Sequence, residues 1–187
     1  MAIADLKRRP ITIHHVVLEF LRGERTKIKL PQGMPLVDGP NLSDPVENHQ
    51  RLRLLYHKQN LGRAIFMVEI PTDTCWWEVH GLTENELDEL YVSARHNKHW
   101  NVGGYKLNNV AAAVQEPLTS TPSSWAGRII LWGHDWKGPF TIMEGNHRML
   151  AYAAAKTRPA LNLDVYVGIS PSFCFWHCDD PGSSLFQ

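Results

Sequence analysis

The sequence predicts a single α+β domain, a mixed sheet with helices around it, and three observations carry that expectation. Short runs of β-branched and aromatic residues alternate with helix-opening signals along the whole chain. The 187 residues are enough for one ordinary domain and too few for two comfortable ones. Hydrophobic residues make up 43% and charged residues 20%, which excludes a disordered or fibrous chain.

The elements follow in order. Asp44 caps a helix, Pro45 suits its first position and Glu47 completes a capping box; the helix runs to about Asn60, with Gly62 past its end. AIFMVEI (64–70) reads as a strand, and CWWEVH (75–80) as another. Thr83-Glu84-Asn85-Glu86 is a second capping box, opening a helix to about Arg95 with Leu87, Leu90, Tyr91 and Ala94 on one stripe. HNKHWNVGGYK (96–106) is a polar loop, and LNNVAAAVQ (107–115) a short helix that ends before Pro117. After the loop 116–124, RIILW (128–132) is a buried strand, GHDWKGP (133–139) a turn and PFTIME (139–144) the next strand. NHRMLAYAAAKT (146–157) is a helix and LNLDVYV (161–167) a strand, so the best-defined unit spans 126–168 and leaves an irregular tail, 169–187.

Nineteen basic residues balance nineteen acidic ones, so bulk charge does not make this a nucleic-acid coat, although a local basic groove stays open. The charge is segregated. Residues 51–63 carry Arg51, Arg53, Lys58 and Arg63 with no acid, while 69–89 carry seven acids and no base. Such stretches form either complementary solvated faces or surfaces for DNA and an acidic partner. Three cysteines make no disulfide framework, and the opening MAIADLKRRPITIHH lacks a signal-peptide core, so a cytoplasmic protein is expected. No apolar run approaches the ~20 residues of a membrane span.

The most informative stretch is FTIMEGNHRMLAYAAAKT (140–157). A strand stops at Glu144, Gly145 turns the chain and a helix begins at about Asn146. Backbone N–H groups and the helix dipole at that start, with Arg148 in the first turn, make a natural phosphate site. Glu144 and Asp135 can share the pocket, holding Mg²⁺ between them or supplying a general base. The ordinary alternatives are a strand end for Glu144 and a turn cap for Asp135. An imidazole can gain or lose a proton near neutral pH, so His134 and His147 are candidates for proton shuttling, and Lys137 can reach a γ-phosphate or stay solvated. Trp132 and Trp136 either stack on bases or fill the core. Cys174-x-x-His177-Cys178 invites a zinc reading but lacks a fourth ligand.

Glu144-Gly145-Asn146-His147-Arg148 at a strand end before an Ala-rich helix resembles the signature of the ParB/sulfiredoxin superfamily. Partition proteins of that group have Gly-Glu-Arg-Arg there, sulfiredoxins Gly-Cys-His-Arg, and free-serine kinases Asp-Gly-His-Thr-Arg. On this alignment Gly145 is the turn glycine, His147 matches the sulfiredoxin histidine and Arg148 is the phosphate-binding arginine. Asn146 stands where sulfiredoxins carry their cysteine, which removes sulfinic-acid reduction. The resemblance covers about a quarter of the chain, and no helix-turn-helix unit follows residue 157.

The resemblance implies ATP or CTP binding. Length, neutral charge and the turn are similar to those of plasmid fertility-inhibition proteins of the same fold. That implies ATP hydrolysis with Mg²⁺ and weak, sequence-independent DNA cleavage that blocks conjugative transfer through a type IV secretion system. A nucleotide-gated inhibitor without catalysis and a small-molecule kinase of the free-serine type are the alternatives.

Overall fold

In the computed structural model, which describes residues 2–37, 39, 41–58, 60, 70–92, 106–113, 121–125 and 127–172, strand β4 (Ile129–Gly133) is buried at every position. A strand so placed needs cover on both faces. It lies inside a six-stranded mixed sheet with β1 (Arg8–Ile11), β2 (Cys75–Leu82), β3 (Leu90–Val92), β5 (Phe140–Glu144) and β6 (Leu163–Ile169), in the order β1-β2-β6-β4-β5-β3. The β6–β4 and β5–β3 pairs are parallel and the others antiparallel.

Strand alternation sorts the side chains into two cores. Ile129, Leu131, Ile142, Val165 and Val167 face one core with α3 (Leu107–Ala113) and α4 (Asn146–Ala154). Ile130, Trp132, Met143 and Tyr166 face the other, under α1 (Ile13–Gly23) and α2 (Pro45–Leu55). The α+β architecture expected from the sequence is therefore present. No helix among the described residues is long and apolar enough to cross a membrane.

Helix α1 is not among the sequence-predicted elements. Thr12 and His15 cap each other reciprocally at its start, and Val16, Val17, Phe20 and Leu21 form its buried stripe. Helix α2 opens as expected: Asp44 Oδ1 accepts from the N–H groups of Val46 (2.8 Å) and Glu47 (3.4 Å). It stops at Leu55 rather than near Asn60, because the buried Asn60 side chain acts from outside the helix. Its Nδ2 donates to the carbonyls of Leu54 and Lys29, and its Oδ1 accepts from the Lys29 N–H.

The helix expected over 83–95 is corrected. The Thr83–Glu86 capping box is there, with the Thr83 N–H and Oγ1 each 2.8 Å from Glu86 Oε2. It opens only a 3₁₀ turn, Glu84–Glu89. The chain then extends as β3, whose parallel register on β5 buries Leu90 and Val92 with period two. Pairing with the sheet outweighs the helical stripe that the local sequence offers. Elements β4, β5, α4 and β6 stand within two or three residues of their expected bounds. The expected strand residues 64–69, the loop residues 96–105 and the Cys174–His177–Cys178 group lie outside the described residues.

Candidate functional site

The turn between β5 and α4 has the expected backbone. Gly145 sits at φ 97°, in the left-handed region that side chains avoid. The first intrahelical bond of α4 is the Met149 N–H to the Gly145 carbonyl, 2.9 Å. The amides before it point back toward the turn. His147 is exposed, while Asn146 is buried and its Nδ2 donates to the Ile142 carbonyl at 2.9 Å. A Cβ on Gly145 would lie 2.2 Å from Ile129 Cδ1, so the room this glycine leaves is filled by the core.

Glu144 and Arg148 face each other one helical turn apart. Arg148 Nη2 lies 3.4 Å from Glu144 Oε1, Nη1 donates to the Gly127 carbonyl at 2.8 Å, and the guanidinium carbon is 5.9 Å from the Trp125 ring centroid. Both side chains keep 19% of their surface exposed. Burial lifts the Glu144 carboxyl above the ordinary carboxylate range, and the Arg148 charge only partly opposes it. The same burial disfavours the charge on Arg148, yet a guanidinium starts so far above neutrality that it stays protonated. A half-buried carboxyl with raised proton affinity beside a guanidinium can take up a proton and hold an anion.

His134, Asp135 and Lys137 belong elsewhere, which corrects the expectation of one shared pocket. All three are exposed in the β4–β5 turn, where the Lys137 N–H donates to Asp135 Oδ1 at 2.7 Å. The hairpin register pairs Gly133 with Phe140 and Ile130 with Glu144. Strand rise alone then sets that turn roughly 13 Å from Glu144, at the opposite end of the sheet. Glu144 and Asp135 are thus no Mg²⁺ pair. The helix amides, His147 and Arg148 suit an anion such as a triphosphate, whereas the paired carboxylates expected for its Mg²⁺ do not come together.

The basic stretch is corrected as well. Arg51 is fully buried. Its guanidinium donates to the carbonyls of Val37, Gly39 and Asn41, to Asn48 Oδ1 and to Glu47 Oε2. It staples the segment before α2 to that helix and is not offered to DNA. Arg53 and Lys58 are exposed, and Arg63 lies outside the described residues. Trp132 is core; Trp136 is half-buried, with the Arg8 guanidinium 4.0 Å from its ring centroid.

A second polar group was not visible in the sequence. On the α1 face, at the sheet end that holds Glu144, Glu78 and His80 of β2 meet Asp164 of β6, and one ligand atom from each lies within 4.8 Å of the others. His80 Nδ1 donates to Asp164 Oδ1 at 3.0 Å. Arg128 bridges the carboxylates, 2.7 Å from Glu78 and 3.3 Å from Asp164, and Arg9 bonds the second Glu78 oxygen. The Arg128 guanidinium also lies 5.1 Å from the Tyr166 ring centroid. The available signal was an acid inside otherwise apolar strands, Glu78 in CWWEVH and Asp164 in LNLDVYV. Their meeting depends on the β2–β6 register.

No protein-family model, curated protein or solved structure matches the chain.

Proposed function

We propose that this chain hydrolyses ATP and cleaves DNA, and so inhibits conjugative DNA transfer through a type IV secretion system. The observation that carries the reading is the β5–α4 turn: a left-handed glycine between a strand end and a helix start, with Glu144 and Arg148 side by side. The resemblance of Glu144–Arg148 to the ParB/sulfiredoxin signature supplies the nucleotide. The phosphates lie against the amides that open α4 and against His147. Arg148 turns one amino group from Glu144 to a phosphate oxygen, and Glu144 takes the proton of the attacking water. DNA binding falls to exposed residues such as Arg53 and Lys58, and is weak and salt-sensitive.

The test is phosphate release from ATP, with linear DNA in the same tubes, by wild type, Glu144→Gln, Arg148→Lys and His147→Ala. Loss of a general base predicts a fall of about 10²-fold or more for Glu144→Gln. Wild-type turnover that persists in all three variants refutes the site. Tight ATP binding with no turnover and intact DNA supports instead a nucleotide-gated inhibitor that acts by binding. One observation favours that second reading: Arg148 and Glu144 are already engaged with the chain's own groups.

A further inference from the structure

We infer that Glu78, His80 and Asp164 form a binding site for a first-row divalent cation, Mn²⁺ or Zn²⁺. Glu78 and His80 are two apart on β2 and so share a face, and the antiparallel register sets β6 opposite, with Glu78 across from Tyr166 and Val79 across from Val165. Asp164 therefore falls beside His80. Each residue contributes one ligand atom, and the three atoms lie within 4.8 Å of one another. Ligands about 2.0–2.2 Å from one ion at tetrahedral angles stand roughly 3.4 Å apart, so closing the set takes on the order of an ångström of movement, which rotation of the partly exposed His80 and Asp164 side chains supplies.

The surroundings fit an open, solvent-reached ion. Glu78 is 2% exposed and fixed in place, whereas the side chains of His80 and Asp164 are 34% and 45% exposed. The buried carboxylate anchors the site, and the two exposed ligands let a cation enter and keep water on its open side. Arg9 and Arg128 hold the carboxylates in a fixed orientation, as outer partners of metal ligands do. A carboxylate oxygen has lone pairs enough to accept from arginine and still ligate. The His80 proton now on Nδ1 moves to Nε2, which frees Nδ1 for the ion without a change of charge. One imidazole with two carboxylates selects Mn²⁺ or Zn²⁺ over Mg²⁺, which prefers oxygen alone. The cation would sit close to Arg128, whose preceding carbonyl holds Arg148.

The full chain, stripped with chelator and free of nucleotide and DNA, is titrated with Mn²⁺ and followed by electron paramagnetic resonance. Mn²⁺ is the probe because the thiols of Cys174 and Cys178 would compete for Zn²⁺. The expected result is one Mn²⁺ per chain, displaced by Zn²⁺, with affinity at least about tenfold weaker in His80→Gln and in Asp164→Asn. Circular dichroism of both variants checks that they are folded; each replaces a partly exposed residue. Absence of saturable binding in wild type, or unchanged affinity in both folded variants, overturns the inference. Neither outcome bears on ATP hydrolysis, which is read separately at Glu144 and Arg148.

Discussion

Replacing Gly145 with alanine tests why a glycine stands at the candidate site. Two costs are legible. The backbone at φ 97° and ψ 14° is strained for any L side chain, by about 1–2 kcal/mol. The new Cβ would also meet Ile129 Cδ1 at 2.2 Å, and forcing a methyl into a packed core adds about 1–3 kcal/mol. Together Gly145→Ala should destabilise by about 2–5 kcal/mol. The two terms separate in a double-mutant cycle. Ile129→Val removes the very atom in the way, at a cost of its own of about 0.5–1.5 kcal/mol. In that background Gly145→Ala should lose its steric part and keep its backbone part, a coupling of about 1–3 kcal/mol. Urea unfolding of the four proteins measures it. Additivity within about 0.5 kcal/mol would show that Ile129 does not occupy the space above Gly145, and the glycine would then be open to a ligand.

Two further outcomes follow from side chains already fully engaged. Arg51→Ala leaves Glu47 and four carbonyl or amide acceptors without their donor, so it should destabilise by about 3–5 kcal/mol in urea unfolding, whereas a surface arginine would lose under about 0.5. Tyr152 Oη lies 2.7 Å from both Glu84 Oε1 and the Pro159 carbonyl, and its single proton serves these two acceptors. Burial and then the Glu84 bond raise the phenol above its ordinary 10.0, and the Tyr152 bond first of all lowers Glu84 below its ordinary 4.5. The folded tyrosine keeps a proton that the unfolded one loses, so its contribution to stability falls as pH rises past about 10. Folded Glu84 binds its proton more weakly than unfolded, so its contribution is lost as pH falls through the range below 4.5. Tyr152→Phe should flatten both limbs of a melting-temperature profile and move the Glu84 carboxyl titration upward by NMR; an unmoved Glu84 titration refutes the bond.

What the sequence made legible was local. Asp44-Pro45 opens α2 because a cap and a fixed φ act within one turn. The turn at Gly145 is local in the same way. Helix α1 was hidden because the β-branched Ile11, Thr12 and Ile13 disfavour a helix start and two histidines follow them, while its stripe works only against Ile130, Trp132 and Tyr166 from distant strands. Strand β3 was misread because its helical stripe is genuine, and only the parallel partner β5 makes extension better. Arg51 shows the limit for charge: a run of bases looks like a surface until the carbonyls of Val37, Gly39 and Asn41 close over one of them. Glu78, His80 and Asp164 needed a register no local rule supplies.

Gly127 and Arg128 join the two polar groups and constrain how either can work. The Gly127 carbonyl accepts from Arg148 Nη1, the Arg128 N–H donates to Glu19 Oε2 at 3.2 Å, and the Arg128 side chain spans Glu78 and Asp164. A Cβ on Gly127, at φ 70°, would press on the Glu19 carbonyl at 3.3 Å and on Gly23 N at 3.4 Å, so this segment runs hard against the end of α1. An anion that pulled Nη1 away from Gly127 would strand a partly buried carbonyl, at about 1–3 kcal/mol. The Nη2 bond to Glu144, at 3.4 Å, is longer and weaker than the Nη1 bond to Gly127. On the proposed function, a phosphate at this turn is taken by Nη2, or by the second hydrogen of Nη1 with its Gly127 bond kept. If Nη2 takes it, Glu144 is left as a carboxylate with greater proton affinity, which is the state the proposed base for water needs.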